Sequence, residues 1–331
     1  MNQQIVISSG DINGIGPEII IKYLHNKELN GVTPIILSDP EVFDYYKDIL
    51  DLHSSYRVIQ DIHKAEPERV NLLKSYDAAK GDINPGTLSK KSGKYAMQAV
   101  EKGIELCNKE EADALVTAPI SKEAVNLAGY HIPGHTEFLA EHTNTSQFMM
   151  MLVNDGFRVG LNSVHIPLQE VRQTITQDAI REKVELMHQS LSADFAIDEP
   201  VIAVLGLNPH AGDGGIIGTE EQEVIGPVIW ELQQSSYNIT GPHPADGFFG
   251  NQKYKSYDGI LAMYHDQGLI PFKTLSFGNG VNYTAGLPII RTSPDHGTAF
   301  DIAGQGKADS RSFTQAYELA VHLSVNKKQR I

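Results

Sequence analysis

Apolar residues fall along this chain in two alternating rhythms. Short β-rich runs, Ile5-Val-Ile7, Pro34-Ile-Ile-Leu37, Ala114-Leu-Val-Thr117, Val159–Val164, Val201–Gly206 and Ile260–Met263, each read as a buried strand. Between them lie longer segments whose apolar positions recur every three to four residues, the period of an amphipathic helix. One such segment carries Met97, Val100, Ile104 and Cys107 on a single face. Another carries Ile180, Val184, Met187 and Leu191, with Thr176 placed to cap its N-terminus. Strand alternating with helix predicts βαβ units on a parallel sheet. Turn formers crowd Ala79–Thr87 and Gly241–Gly247, so both read as loops. Neither has the composition of a flexible linker, which leaves room for a discontinuous domain. There is no internal repeat and no low-complexity tract.

Three histidines share a position in this pattern. Val159–Val164 leads into His165, Val201–Gly206 leads through Leu207-Asn-Pro209 into His210, and Ile260–Tyr264 leads into His265. Ligands of open parallel sheets collect outside the carboxyl ends of the strands. Three imidazoles meeting there would hold one divalent metal and leave a coordination position for substrate. Neutral imidazole suits zinc and tolerates cobalt or manganese. Asp266 and Asp246 offer a carboxylate ligand or a group that orients an imidazole, with turn capping as the competing use. Any one of these histidines taken singly reads more readily as a residue that caps a loop or fills a polar pocket.

A basic and polar group follows: Lys273, Asn282 and Arg291. Arg291 ends the apolar run Leu287–Ile290 and is expected to project from a strand end. Arginine grips phosphate or carboxylate with two parallel hydrogen bonds and lysine adds a point charge, so this group predicts an anionic substrate. A solvated surface pair is the alternative. Gly10–Glu18 joins the first strand to a helix, with Pro17 suited to the first helical position and Glu18 to the positive end of the dipole. It lacks Gly-x-Gly-x-x-Gly, which excludes a Rossmann assignment. Asp295–Asp309 is dense in glycine and suits either a nucleotide wrapped by backbone donors or a plain structural loop.

The chain has 331 residues, enough for roughly two domains. Its formal charge of −14 argues against nucleic acid or an anionic membrane as partner, while a local pair of cations can still hold a phosphate. A single cysteine, Cys107, excludes an intrachain disulfide and fits a reducing compartment. The N-terminus lacks the basic and apolar regions of a signal peptide, and no apolar run approaches the ~18 residues of a membrane span. A cytoplasmic protein is expected.

Several ordered stretches together carry a resemblance. They are Gly10–Glu18, Val116-Thr-Ala-Pro-Ile-Ser-Lys122, Pro133-Gly-His-Thr-Glu-Phe138, Leu207–Gly212, Met263–Gly268 and Ile290–Ala299. Over essentially its whole length the chain is similar to the 4-hydroxythreonine-4-phosphate dehydrogenase (PdxA) family, within the isocitrate/isopropylmalate dehydrogenase-like superfamily. That resemblance implies an α/β fold of two α/β/α subdomains with the active site in the cleft between them. Residues 1–130 with 285–331 would form the first, discontinuous domain. Residues 131–284 would form the second, with the metal ligands and the dimer interface. It also implies NAD-linked oxidation of a secondary alcohol, NADP being the alternative cofactor, followed by loss of carbon dioxide. One divalent ion, zinc before cobalt, manganese or magnesium, would sit on His165, His210 and His265.

The family's substrate contacts fall on His135, Thr136, Lys273, Asn282 and Arg291, and its cofactor contacts on His296, Gly297, Thr298 and Ala299. Lys273 and Asp246 take the catalytic roles. The partner expected is a small phosphorylated substrate, on a homodimer whose subunits share the site. Two departures stand out: Asp11-Ile12-Asn13 replaces the usual acidic-Pro-Ala, and Gly247 stands where threonine is usual. Both are expected at the edge of the substrate pocket, which keeps phosphorylated threonate or erythronate as alternative substrates. A phosphate acyltransferase and a phosphometabolite-binding module are the rival readings.

Overall fold

Ile5, Val6 and Ile7 have no accessible surface, because their strand is paired on both edges and covered on both faces. This is why parallel strands read as continuous apolar runs rather than alternating ones. The computed structural model describes residues 2–25, 27–52, 54–132 and 134–330. Pro133, the first residue of the Pro-Gly-His-Thr stretch, lies outside the described residues.

In chain order the elements are β1 (Gln3–Ser8), α1 (Gly16–Leu24), β2 (Val32–Ser38), α2 (Pro40–Leu50), β3 (Arg57–Ile59), β4 (Asn71–Lys74), α3 (Lys90–Asn108), β5 (Ala114–Thr117), α4 (Lys122–Leu127) and α5 (His135–His142). Then come β6 (Met149–Asn154), β7 (Phe157–Leu161), α6 (Leu168–Thr174), α7 (Gln177–Ala193), β8 (Ile202–Leu205), α8 (Gly226–Gln234), β9 (Ile239–His243), α9 (Ala245–Gly250), β10 (Gly259–Ala262), α10 (His265–Ser276) and β11 (Val281–Ala285). β12 (Arg291–Pro294) and α11 (Arg311–Arg330) close the chain.

Contacts group these elements into two units, Met1–Thr145 with Leu287–Lys328, and Ser146–Gly286 with Gln329–Ile331. The first crossing falls after residue 145 rather than 130. The reason is α5, whose Phe138, Leu139 and Ala140 are buried and whose His142 carbonyl accepts from Asn108 of α3. His135 and Thr136 therefore belong to the first unit.

In the first unit the strands run β3-β4-β2-β1-β5-β12, all parallel. The helix stripe expected around Met97 is α3, with all four named residues buried and Ser89 capping its start. Gly10 (φ +71) turns the chain out of β1 so closely over Pro119 that a Cβ would sit 2.4 Å from its carbonyl oxygen.

In the second unit the order is β11-β6-β7-β10-β8-β9. β7, β10, β8 and β9 are parallel, but β6 pairs antiparallel with both β7 and β11, so β6 runs against the other strands and this sheet is mixed. Leu152, Val159, Leu161, Leu205, Ile260 and Ala262 pack with Phe248, Leu269 and Phe272 as its core. Thr176 caps α7 by accepting from Ala179 N. The segment Gly241–Gly247 is not the loop its composition suggests. Pairing of His243 with Leu205 draws its first half into β9, and α9 takes the rest.

Candidate active site

The three histidines follow β7, β10 and β8, which are adjacent parallel strands in that order, so their carboxyl ends share one edge of the second unit. His265 is not in a loop; it is the first residue of α10. Its Nδ1–H donates to Asp266 Oδ1 at 2.7 Å, which leaves Nε2 with its lone pair. The His165 and His265 rings stand 5.9 Å apart between centroids. An ion with bonds of ~2 Å to two imidazole nitrogens at a tetrahedral angle places their centroids roughly 5 Å apart, so this pair needs only a small adjustment to share one.

His210 is exposed and begins a run of left-handed backbone, with φ of 55, 52, 82, 44 and 64° from His210 to Gly214. Among the described residues no group of three or more histidine, cysteine, aspartate or glutamate side chains is close enough to hold a metal. The expected trio is thus not gathered among the described residues: the His165 and His265 rings approach each other, and His210 does not join them in such a group. Non-glycine residues in left-handed conformation carry that segment along a path the strand-end pattern does not foresee. Asp246 is exposed in the first turn of α9 and joins no such group either. Beside it Gly247 faces open space, where an added Cβ would meet only Asn251 Nδ2 at 3.9 Å. Lys273 is exposed on α10, and Asn282 on β11 has a buried Oδ1 without a hydrogen-bond partner.

Arg291 departs from expectation in a useful way. It starts β12 rather than ending a strand, because pairing of Arg291 with Leu115 and Thr292 with Val116 fixes the register. Only 1% exposed, it donates from Nε and Nη2 to Thr117 Oγ1 at 3.1 and 2.7 Å. Burial pulls its pKa down to about 10, against the favourable charge of Glu137, so it remains a cation. His135 opens α5 in the same unit. Burial, then the charge of Arg291, pushes its pKa down to about 3, and its Nε2 is buried without a partner. A neutral imidazole beside a buried guanidinium at a helix N-terminus is an arrangement suited to a phosphate or carboxylate. Thr117 and Glu137 escaped the sequence reading, although both lie inside the stretches that carry the resemblance.

The loop His296–Ala299 packs on the Gly10–Glu18 turn: Ile15 N donates to Thr298 O at 3.0 Å. His296 Nδ1–H donates to Gly297 O at 3.1 Å, so Nε2, buried and without a partner, is an acceptor. An orphaned acceptor beside glycine backbone fits the edge of a nucleotide cofactor. Lys22 Nζ reaches Glu18 Oε1, Gly306 O and Ala308 O at 2.7–2.8 Å, tying α1 to the glycine-rich segment. Glu18 is therefore engaged in structure. Asn13, expected at a pocket edge, is buried and spends both amide atoms on the loop 84–87, donating to Thr87 O and accepting from Asn84 N. Asp11 accepts from Asn13 N and Ser92 Oγ, and burial raises its pKa to about 6.

Comparison with known proteins follows the same lines. The family model described as pyridoxal phosphate biosynthetic protein PdxA matches residues 30–320. A 4-hydroxythreonine-4-phosphate dehydrogenase of Bacteroides thetaiotaomicron is 43% identical over 98% of this chain and 90% of its own. A provisionally named D-threonate 4-phosphate dehydrogenase of Oceanobacillus iheyensis is 40% identical over 98% of both. The crystal structure of the 4-hydroxythreonine-4-phosphate dehydrogenase of Klebsiella pneumoniae superposes with a TM-score of 0.89 at 36% identity, covering 98% of each chain. The chain belongs to the PdxA family of pyridoxal phosphate biosynthetic proteins.

Proposed function

We propose that this chain is a metal-dependent, NAD-linked dehydrogenase. It oxidises the secondary alcohol of 4-phosphohydroxy-L-threonine, and the β-keto acid so formed loses carbon dioxide to give 3-amino-2-oxopropyl phosphate. The observation that carries this reading is end-to-end similarity to enzymes of that name, with the residues that the resemblance assigns to substrate, metal and cofactor all present in the sequence.

Arg291 takes the phosphate, with neutral His135 and Thr136 at the start of α5 directing its oxygens. The resemblance assigns further substrate contacts to Lys273 and Asn282, and Asn282 Oδ1 is buried without a hydrogen-bond partner. Holding the phosphate fixes where the carbinol hydrogen points. His165, His210 and His265 are the residues that would hold a divalent ion, zinc first among the candidates, and it would supply Lewis acidity toward the substrate hydroxyl. His296, Gly297, Thr298 and Ala299 would hold NAD, which would serve as the hydride acceptor. Lys273 and Asp246, both exposed to solvent, are the groups that carry protons in and out.

The second unit leaves Trp230, Ile270 and Phe277 exposed, side chains of the kind that subunit interfaces cover, which supports a homodimer. A buried lone thiol, Cys107, supports a cytoplasmic setting, and none of the described helices is long and apolar enough to cross a membrane.

A second reading keeps the chemistry and changes the substrate to a sugar-acid phosphate without the amino group. The relative provisionally named for D-threonate 4-phosphate and the open space at Gly247 favour it. Steady-state NADH formation on 4-phosphohydroxythreonine, D-threonate 4-phosphate and erythronate 4-phosphate decides between them. The first reading expects the highest kcat/KM on phosphohydroxythreonine. Turnover on none of the three, with metal supplied, overturns both.

A further inference from the structure

Three loops of the first unit pack on one another beyond the carboxyl ends of their strands: the Gly10–Glu18 turn after β1, the segment 84–87 after β4 and the glycine-rich run after β12. Ile15 N donates to Thr298 O at 3.0 Å, and a Cβ on Gly14 would lie 3.0 Å from that same oxygen. Gly86 (φ +82) sits so close to Phe300 that a Cβ would be 2.8 Å from its carbonyl oxygen. Gly304 approaches Pro85 equally closely, its added Cβ falling 2.8 Å from the proline Cβ. The loop His296–Ala299 is thus held by the first turn at Thr298 and by the segment 84–87 just beyond its end.

Asn13 joins the other two contacts into a closed set. Its Nδ2 donates to Thr87 O at 3.0 Å, its Oδ1 accepts from Asn84 N at 2.7 Å, and its backbone carbonyl accepts from Gly86 N at 2.8 Å. Asn13 has no accessible surface, whereas Asn84, Gly86 and Thr87 are exposed, so its amide is the buried anchor of a surface loop. The turn that carries it is itself fixed. The Tyr46 hydroxyl reaches Ile12 O and Gly14 O at 2.9 and 3.1 Å, and Asp11 Oδ1 accepts from Asn13 N at 2.9 Å. Bonding both Thr87 O and Asn84 N requires a donor and an acceptor on one short side chain, which asparagine has. Alanine, the usual residue here in the family that the chain resembles, makes neither bond.

We propose that Asn13 is a positioning residue for the cofactor: by pinning 84–87 against Phe300 and Gly304, it holds His296–Ala299 in the arrangement that receives NAD. This rests on the cofactor reading above, to which the buried, unpartnered His296 Nε2 belongs. A loop that is already ordered binds without the cost of ordering it, and affinity falls with the fraction of molecules in the competent arrangement. Since alanine is usual at this position, the effect is on affinity for the cofactor rather than on folding or on the phosphate site at Arg291.

The test titrates NADH into full-length wild type, His296→Ala, Asn13→Ala and Gly86→Ala, following nicotinamide fluorescence. Amide hydrogen exchange of the segments around Gly86 and Thr298, melting temperatures and KM for 4-phosphohydroxythreonine are recorded for each. Asn13→Ala should bind NADH ~3–30-fold more weakly, with faster exchange in both segments and KM for the phosphorylated substrate within about twofold of wild type. Gly86→Ala pushes the same loop away from Phe300 without touching Asn13 and should weaken NADH alike; it decides the matter if Asn13→Ala does not fold. A lowered melting temperature with NADH affinity unchanged in both variants shows a merely structural role and overturns the proposal. Wild-type affinity in both, with binding lost in His296→Ala, overturns this proposal alone. No NADH binding by wild type, or full binding by His296→Ala, overturns the cofactor reading and this proposal with it.

Discussion

Thr117 Oγ1 receives two hydrogen bonds from the buried guanidinium of Arg291, one from Nε and one from Nη2. β5 thus aims a side chain of β12, since the two strands are parallel neighbours in the first unit. Thr117→Val keeps the volume and removes the acceptor. A hydrogen bond to a charged group contributes ~1.5–3 kcal/mol, so KM for the phosphorylated substrate should rise ~10-fold or more with kcat little changed. Arg291→Ala should raise KM by a decade or more. An unchanged KM in both variants removes Arg291 from the phosphate site.

Asp11 makes stability depend on pH in a direction unusual for a carboxylate. Its pKa in the folded chain, about 6, lies above the ordinary 3.8, because burial outweighs the bonds from Asn13 N and Ser92 Oγ. The folded state holds this proton more tightly than the unfolded chain does. Its contribution is therefore complete below pH 3.8 and lost as the pH rises through 6. Asn at this position keeps an acceptor for Asn13 N and offers Ser92 Oγ a donor, while Ser92 still bonds to Ser89 O. Asp11→Asn should be more stable than wild type by ~1–3 kcal/mol at pH 8 and no more stable at pH 4. Urea unfolding of both proteins at the two pH values measures this; a gain that is the same at pH 4 and pH 8 contradicts it.

What could be read in advance follows the reach of each physical signal. Strands β1, β2, β5, β8 and β10 were legible because burial on both faces demands unbroken apolar runs. β6, which opens with three methionines, has no such β-branched run, yet Asp155-Gly156 between β6 and β7 is a strong hairpin signal. The Leu287–Ile290 run misled because pairing with β5, rather than apolarity, determines where β12 begins. The histidines' strand-end addresses were legible, and so was the contact between Asp266 and His265. The left-handed path at His210, Ala211 and Asp213 was not, since few side chains adopt it and no local pattern announces it. Nor was the neutral state of His135, set by burial and then by the charge of Arg291, which pairing of β12 with β5 brings up from the far end of the chain.

Asp266 offers a separate handle on the His165–His265 pair. Its carboxylate accepts from His265 Nδ1–H and so holds the orientation of the ring. Asp266→Asn preserves an acceptor of the same shape but withdraws the negative charge. Affinity for zinc should fall ~10-fold, read by competition with a chelator, while thermal stability stays close to wild type because the carboxylate is exposed. Unaltered zinc affinity would show that Asp266 only caps its helix.

Glu221 anchors the His210 segment. It is 3% exposed, and its two oxygens accept from Asn208 N at 2.7 Å and Asn208 Nδ2 at 3.0 Å. Asn208 Nδ2 also donates to Glu220, whose carboxylate is paired with Arg172. Gly212 approaches so closely that a Cβ there would meet Glu221 Oε2 at 2.7 Å, so the left-handed turn at Gly212 packs on this carboxylate. Glu221→Gln turns one acceptor into a donor facing donors and leaves a buried polar group unpaired. The expected loss is ~1–3 kcal/mol in chemical denaturation, with faster hydrogen exchange at the Asn208 amide. Glu221→Ala, which also opens a cavity, should cost at least as much. If Glu221→Gln unfolds at the wild-type midpoint and Asn208 exchanges no faster, the loop is held by its backbone turns alone and the carboxylate is dispensable.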